Sequence, residues 1–125
     1  MLLEAPLTKR ILRAFYEVHN ERGYGFPEGV YSNALRVELE LNGIRSKREV
    51  IQEVVYKGVA VGLCRFDLVV EERVLVEVKT GKAILEADKQ QLRSYLKSSP
   101  FEVGLLLHVG PSPEFLRFIH TNDQK

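Results

Sequence analysis

The sequence predicts an α/β or α+β domain with a mixed central sheet flanked by helices, its elements in the order ααβββαβ. Three observations predict it. Two apolar stripes at helical spacing run through residues 7–42. From Ile44 the chain turns to β-branched and aromatic runs broken by short charged or glycine-containing turns. A third amphipathic stretch then separates two apolar strands, as in a parallel βαβ crossover.

The first helix spans Leu7 to Arg22, with Leu7, Ile11, Phe15 and Val18 as its stripe. Gly23 and Gly25 stop it, and Pro27 suits the first turn of a second helix. That helix runs to about Asn42, with Val30, Ala34, Val37 and Leu41 as its expected stripe, and Asn42-Gly43 is a C-terminal stop. Val50-Ile51 and Val54-Val55-Tyr56 belong to a first strand, and Lys57-Gly58 is a turn. Val59 to Val70 is a second strand, Glu71-Glu72-Arg73 a charged turn, and Val74 to Lys79 a third strand. Leu68, Val69, Val70, Val74, Leu75 and Val76 are apolar on both faces, which places these strands in the middle of a covered sheet. Ala83 to Lys97 is helical, with Leu85, Leu92 and Leu96 as its stripe, and Ser98-Ser99-Pro100 ends it. Val103 to Val109 is a strand. Phe115, Leu116, Phe118 and Ile119 fit either a short helix or another strand.

Composition narrows the function. The 125 residues, 45% hydrophobic and 28% charged, are expected to form a single domain with a real core, 1–125. No apolar run is long enough to cross a membrane, and Glu4 directly after Met1-Leu2-Leu3 leaves no leader-type hydrophobic region, so a cytoplasmic protein is expected. Cys64 stands alone, which excludes a disulfide framework or a cysteine-rich zinc site. With 18 basic and 17 acidic residues the net charge is +1, so nucleic-acid contact would have to be local.

Three polar residues interrupt the apolar strands. Asp67 is one of three aspartates in the chain, and Glu77 and Lys79 share a strand face two residues apart. With Glu72 at the centre of the turn, Asp67 falls opposite Glu77, whereas a slip of one residue would put them on opposite faces. Two carboxylates so placed repel each other, and a hard divalent cation such as Mg²⁺ removes that cost. A neighbouring lysine can then orient water or balance phosphate charge. The bland alternative is a structural ion pair. Gln91 and Tyr95 share one face of the third helix beside Asp88, and Glu28 stands in the first turn of the second helix, where an acid also suits the helix dipole. His19 reads as a structural hydrogen-bonding residue and Cys64 as a small strand residue. Lys47, Arg48 and Lys57, with Arg45, Lys82, Lys89, Arg93 and Lys97, read as a solvated basic surface able to meet phosphate at its rim.

The segment Gly25-Phe26-Pro27-Glu28-Gly29-Val30-Tyr31, preceded by Glu17-Val18-His19-Asn20, resembles the signature of the GxxExxY proteins. Asp67, then Glu77-Val78-Lys79, then Gln91-Leu92-Arg93-Ser94-Tyr95 resemble the PD-(D/E)xK nuclease pattern with the QxxxY element of RecB-like domains. The likeness spans Leu7 to Val109. It implies a restriction-endonuclease-like αβββαβ core with an extra N-terminal helix and a Mg²⁺- or Mn²⁺-dependent phosphodiesterase site. Asp67, Glu77, Glu28 and the Val78 carbonyl would meet the metal, Lys79 the attacking water, and Gln91 and Tyr95 would steady Lys79 or a phosphate. Phe66 stands where proline is usual before the aspartate, and Asp88 where relatives often have histidine.

The expected function is therefore a metal-dependent nuclease acting on nucleic acid, DNA ahead of RNA. A homodimer would bring two sites to a duplex. The competing expectation is a non-catalytic nucleic-acid-binding or protein-interaction module on the same fold. A small-molecule phosphohydrolase or a partner-dependent effector has no residue in its favour.

Overall fold

The structure, a computed structural model, describes residues 3–125. Met1 and Leu2, on which the leader expectation rested in part, lie outside the described residues. Helices α1 (Ala5–Arg22) and α2 (Glu28–Leu41) precede strands β1 (Ser46–Tyr56), β2 (Val59–Val70) and β3 (Val74–Thr80). Helix α3 (Glu86–Lys97), β4 (Val103–Val109), β5 (Pro113–Ile119) and a closing 3₁₀ turn follow. The sheet order is β1-β2-β3-β4-β5, antiparallel except for the parallel β3–β4 pair bridged by α3. The mixed α/β architecture is as expected, and the ambiguous tail is a strand that pairs with β4 from Val103–Ile119 to Val109–Pro113. No described helix is long and apolar enough to cross a membrane.

Both β-hairpins are closed by residues at positive φ. Lys57 and Gly58 supply the pair between Tyr56 and Val59, and Glu71 and Glu72 supply the pair after Val70. Two left-handed residues give the turn twist that antiparallel strands need, but glutamate adopts that conformation at a cost. Glu71 is held there from outside the turn. Its N–H donates to the Arg45 carbonyl at 2.9 Å, and its carboxylate accepts the Arg45 N–H at 2.6 Å. This clamp supports the β2–β3 register, in which Leu68–Val76, Val69–Leu75 and Val70–Val74 are paired.

The sheet is covered on both faces. Leu68, Val70, Val74, Val76, Val78 and alternate residues of β4 pack on α1 and α2. Leu75, Val69, Phe66 and Leu106 pack on Leu92 and Leu96 of α3. The first helix buries Leu7, Ile11, Phe15 and Val18 as expected. The expected stripe of α2 is corrected. Val30, Val37 and Leu41 are exposed, and Tyr31, Ser32, Leu35 and Leu39 face the core. The two stripes are about one residue, ~100° of helix rotation, apart. The Tyr31 anchor described below selects the second. Leu85 is likewise exposed because α3 begins only after it. Helix α3 lies close over Gly104, where an added Cβ would stand 3.0 Å from Leu92 Cδ1 and 3.2 Å from Leu96 Cδ1. Gly104→Val therefore overpacks this contact, with an expected loss of ~1–3 kcal/mol in urea unfolding.

Candidate functional site

The β2–β3 ladder ends at Leu68–Val76, and the next two residues in register are Asp67 and Glu77. There each carboxylate takes a backbone amide of the opposite strand. The Asp67 N–H donates to Glu77 Oε2 at 2.8 Å, and the Val78 N–H donates to Asp67 Oδ2 at 2.8 Å. Side chains thus replace ladder bonds, and the strands part. The expected register holds and brings the two acids together. N–H and C=O of one strand residue point the same way, so the Val78 carbonyl is aimed into the same gap as its N–H.

On the other side of β2, strict alternation also fails. Phe66 packs with Val69 beneath α3, whereas Leu68 packs beneath α1 and α2. The β1–β2 register omits the Glu49–Asp67 pair, and Glu49 has a φ of 54°. Asp67 therefore sits at a local break in both of its strand pairings. Alternation along β3 puts Glu77 and Lys79 with Leu75 on the α3 face, opposite Val76 and Val78.

Electrostatics tie the neighbours to this gap. Burial pushes the Glu77 carboxyl up from 4.5 to about 8, the Asp67 charge adds to the rise, and the Asp67 N–H and Lys79 oppose it. Asp67 is raised by burial, against the Val78 N–H, Lys79 and Arg48. Glu28 is raised by burial, lowered by Lys79, and raised again by Asp67 and Asp88. Glu28, Asp67, Glu77, Lys79 and Asp88 thus share one electrostatic neighbourhood. Among the described residues Lys79 makes no ion pair within 4.0 Å. Tyr95 is drawn in from α3, its ring 5.1 Å from that of Phe66, and its hydroxyl is raised by burial and then by Glu77. Gln91 Oε1 is buried with no hydrogen-bond partner.

Among the described residues, no three His, Cys, Asp or Glu side chains form a ready ligand cluster. Asp67 and Glu77 each spend one oxygen on a backbone amide and keep the other. A buried and a half-buried hard oxygen donor, Glu77 and Asp67, both with raised pKa values and beside a carbonyl aimed between them, fit a divalent cation, because its charge reverses the cost of ionising them.

Glu28 is placed by Tyr31. The buried Tyr31 hydroxyl donates to the Gly23 carbonyl at 2.9 Å and accepts the Phe26 N–H at 3.2 Å. It closes the α1–α2 turn, in which Gly23 and Gly25 have positive φ. His19 is structural as expected, its Nε2 2.8 Å from the Gly110 carbonyl. Cys64 is half-buried and its thiol is raised by burial, so it is no activated nucleophile. Arg45, Lys47, Lys89 and Arg93 are engaged in ion pairs with Glu71, Glu72 and Glu86. Sequence reasoning places Arg48 only on the basic rim, but it reaches Asn33 at 2.6 Å and lowers the Asp67 pKa. It misses the fully buried His108 altogether. A histidine inside the run Leu105-Leu106-Leu107-His108-Val109 is the same kind of signal as Asp67.

A family description of the PD-(D/E)XK nuclease superfamily matches residues 5–118. The chain belongs to that superfamily. Three chains of solved structures match, among them the crystal structure of SSO0001. That structure superposes with a TM-score of 0.62 over 92% of this chain at 22% identity, which shows a shared fold, and this chain spans 64% of its length. No curated protein matches the sequence.

Two outcomes follow from this geometry. Tyr31→Phe removes both hydroxyl contacts and is expected to cost ~1–3 kcal/mol in denaturant unfolding. The second concerns pH. Folded Glu77 holds its proton more tightly than the unfolded chain, so its contribution is neutral below about pH 4.5 and destabilises increasingly up to about pH 8. In EDTA, the melting temperature of Glu77→Gln should fall less between pH 5 and 8 than that of the wild type.

Proposed function

We propose that the chain is a divalent-metal-dependent nuclease that hydrolyses phosphodiester bonds of DNA, built as a single domain over residues 1–125. One observation carries this reading: Asp67 and Glu77 clasp each other's strands where β2 and β3 part, with Lys79 on the Glu77 face and Glu28 within electrostatic reach. A structural ion pair would engage Lys79 directly, and no such pair is made among the described residues. The Gly25–Tyr31 segment supports a GxxExxY-type member of the superfamily, since its glutamate enters the acidic group and its tyrosine fixes the turn that presents it.

The free oxygens of Asp67 and Glu77 and the Val78 carbonyl would hold Mg²⁺ or Mn²⁺, with Glu28 joining directly or through water. When bound, such a cation supplies Lewis-acid polarisation of the phosphoryl group. Lys79 orients the attacking water and offsets charge growing on the phosphate. Gln91, whose buried oxygen has no partner, and Tyr95 steady Lys79 or a phosphate from α3. Cutting both strands of a duplex takes two such sites, which a second copy of the chain would supply, and a cytoplasmic setting fits the lone Cys64.

Lys79→Ala is expected to abolish Mg²⁺-dependent cleavage of DNA while its circular dichroism and melting temperature stay near wild type. Cleavage at the wild-type rate by that variant removes Lys79 from the mechanism. Metal-independent binding to DNA without cleavage, by wild type and variant alike, favours the non-catalytic module instead.

A further inference from the structure

His108 is 0% exposed, and both Nδ1 and Nε2 lack a hydrogen-bond partner. A leucine would fit this apolar strand without the cost of burying two unpaired polar atoms. The ring sits on the same side of the sheet as the carboxylate site. Val103, Leu105, Leu107 and Val109 of β4 face α1 and α2, whereas Leu106 faces α3, so His108 does too. In the parallel β3–β4 pair its register partner is Lys79. In the antiparallel β4–β5 pair it is Glu114, which follows the same alternation as Leu116 and Phe118 on the α3 side. Lys79, His108 and Glu114 thus form a row across three strands.

The space around the ring is shaped for it. A Cβ on Gly110 would lie 3.1 Å from its Cε1 and 3.3 Å from Nδ1, and a Cβ on Gly81 would lie 3.9 Å from Nε2. Gly81 is two residues beyond Lys79, so Nε2 is the ring nitrogen turned toward β3. Gly110 is itself fixed by His19, which bonds its carbonyl. Lys79 has three N–H donors and no acceptor, and no ion-pair partner within 4.0 Å among the described residues.

We propose that His108 is a positioning residue for Lys79: Nε2 accepts a hydrogen bond from one buried water that in turn accepts from the Lys79 ammonium, and Nδ1 carries the ring proton. One Lys79 donor is thereby anchored to β4 and two remain for water and phosphate. Only the purpose of the anchor rests on the nuclease reading; the contact does not.

The experiment is a long-range ¹H–¹⁵N correlation spectrum of the uniformly ¹⁵N-labelled chain, which holds His19, His108 and His120. His108→Gln assigns the His108 signals, by the loss of its cross-peaks. The expected result is a ring protonated at Nδ1, with an Nε2 resonance that moves toward the free-acceptor position in Lys79→Met and stays put in Glu114→Gln. A ring protonated at Nε2, an Nε2 resonance indifferent to Lys79→Met, or a response to Glu114→Gln alone overturns the proposal. In DNA cleavage, His108→Leu should lower kcat about 10–100-fold with KM unmoved, and His108→Gln, which keeps an acceptor, should recover part of it. Absence of cleavage by the wild type would sink the nuclease reading, while the spectrum would still decide whether His108 holds Lys79.

Discussion

The site depends on one exchange: Asp67 and Glu77 each accept the amide of the opposing strand in place of a ladder bond. The exchange satisfies two part-buried N–H groups that would otherwise lack a partner where β2 and β3 diverge. It also fixes both carboxylates in the gap they open. Neither strand can slip without losing these bonds and turning its apolar residues to the wrong face. The Glu71–Arg45 clamp at the far end of the hairpin holds the same register from outside.

The exchange has an energetic cost, and the rest of the fold is arranged around it. Burial raises the proton affinity of both acids, most of all at Glu77, which burial first and the Asp67 charge second lift to about 8. Lys79 offsets part of this, as does Arg48 at Asp67. The remainder is stability given up locally and supplied by the Leu- and Val-rich strands on either side. Such an arrangement is expected where chemistry, rather than stability, sets the residues. The helices act as brackets. Tyr31 ties the start of α2, with Glu28, to the end of α1, and Gly104 lets α3 settle close to the sheet, with Tyr95 near enough to feel the charges of Glu77 and Asp67.

Much of this is legible in the sequence. The strands Val59–Val70 and Val103–Val109 can be read to the residue, because glycine, proline and charge bound them sharply. The Asp67–Glu77 juxtaposition follows from the centre of one turn. Other features are hidden for physical reasons. Sequence alone misassigns the α2 face because two apolar stripes lie about one residue apart on that helix, and a hydroxyl in the adjoining turn chooses between them. The tail resolves as β5 only through hairpin pairing with β4, a contact that periodicity does not encode. The change of face between Phe66 and Leu68 violates the period of two, and only the irregular partner strand at Glu49 reveals it. His108 escapes notice because a lone histidine in a leucine run resembles a core residue until its register partner, Lys79, is known.

The central claim is that the gap between Asp67 and Glu77 binds a divalent cation. Calorimetric titration of Mn²⁺ into the wild type and Asp67→Asn, with a short DNA duplex present, tests it most directly. Asparagine keeps an oxygen for the Val78 amide and removes the charge, so the fold is preserved while the proposed ligand is weakened. The account predicts one saturable site per chain in the wild type and its loss in Asp67→Asn. Equal binding by both proteins, or none by either, would contradict it.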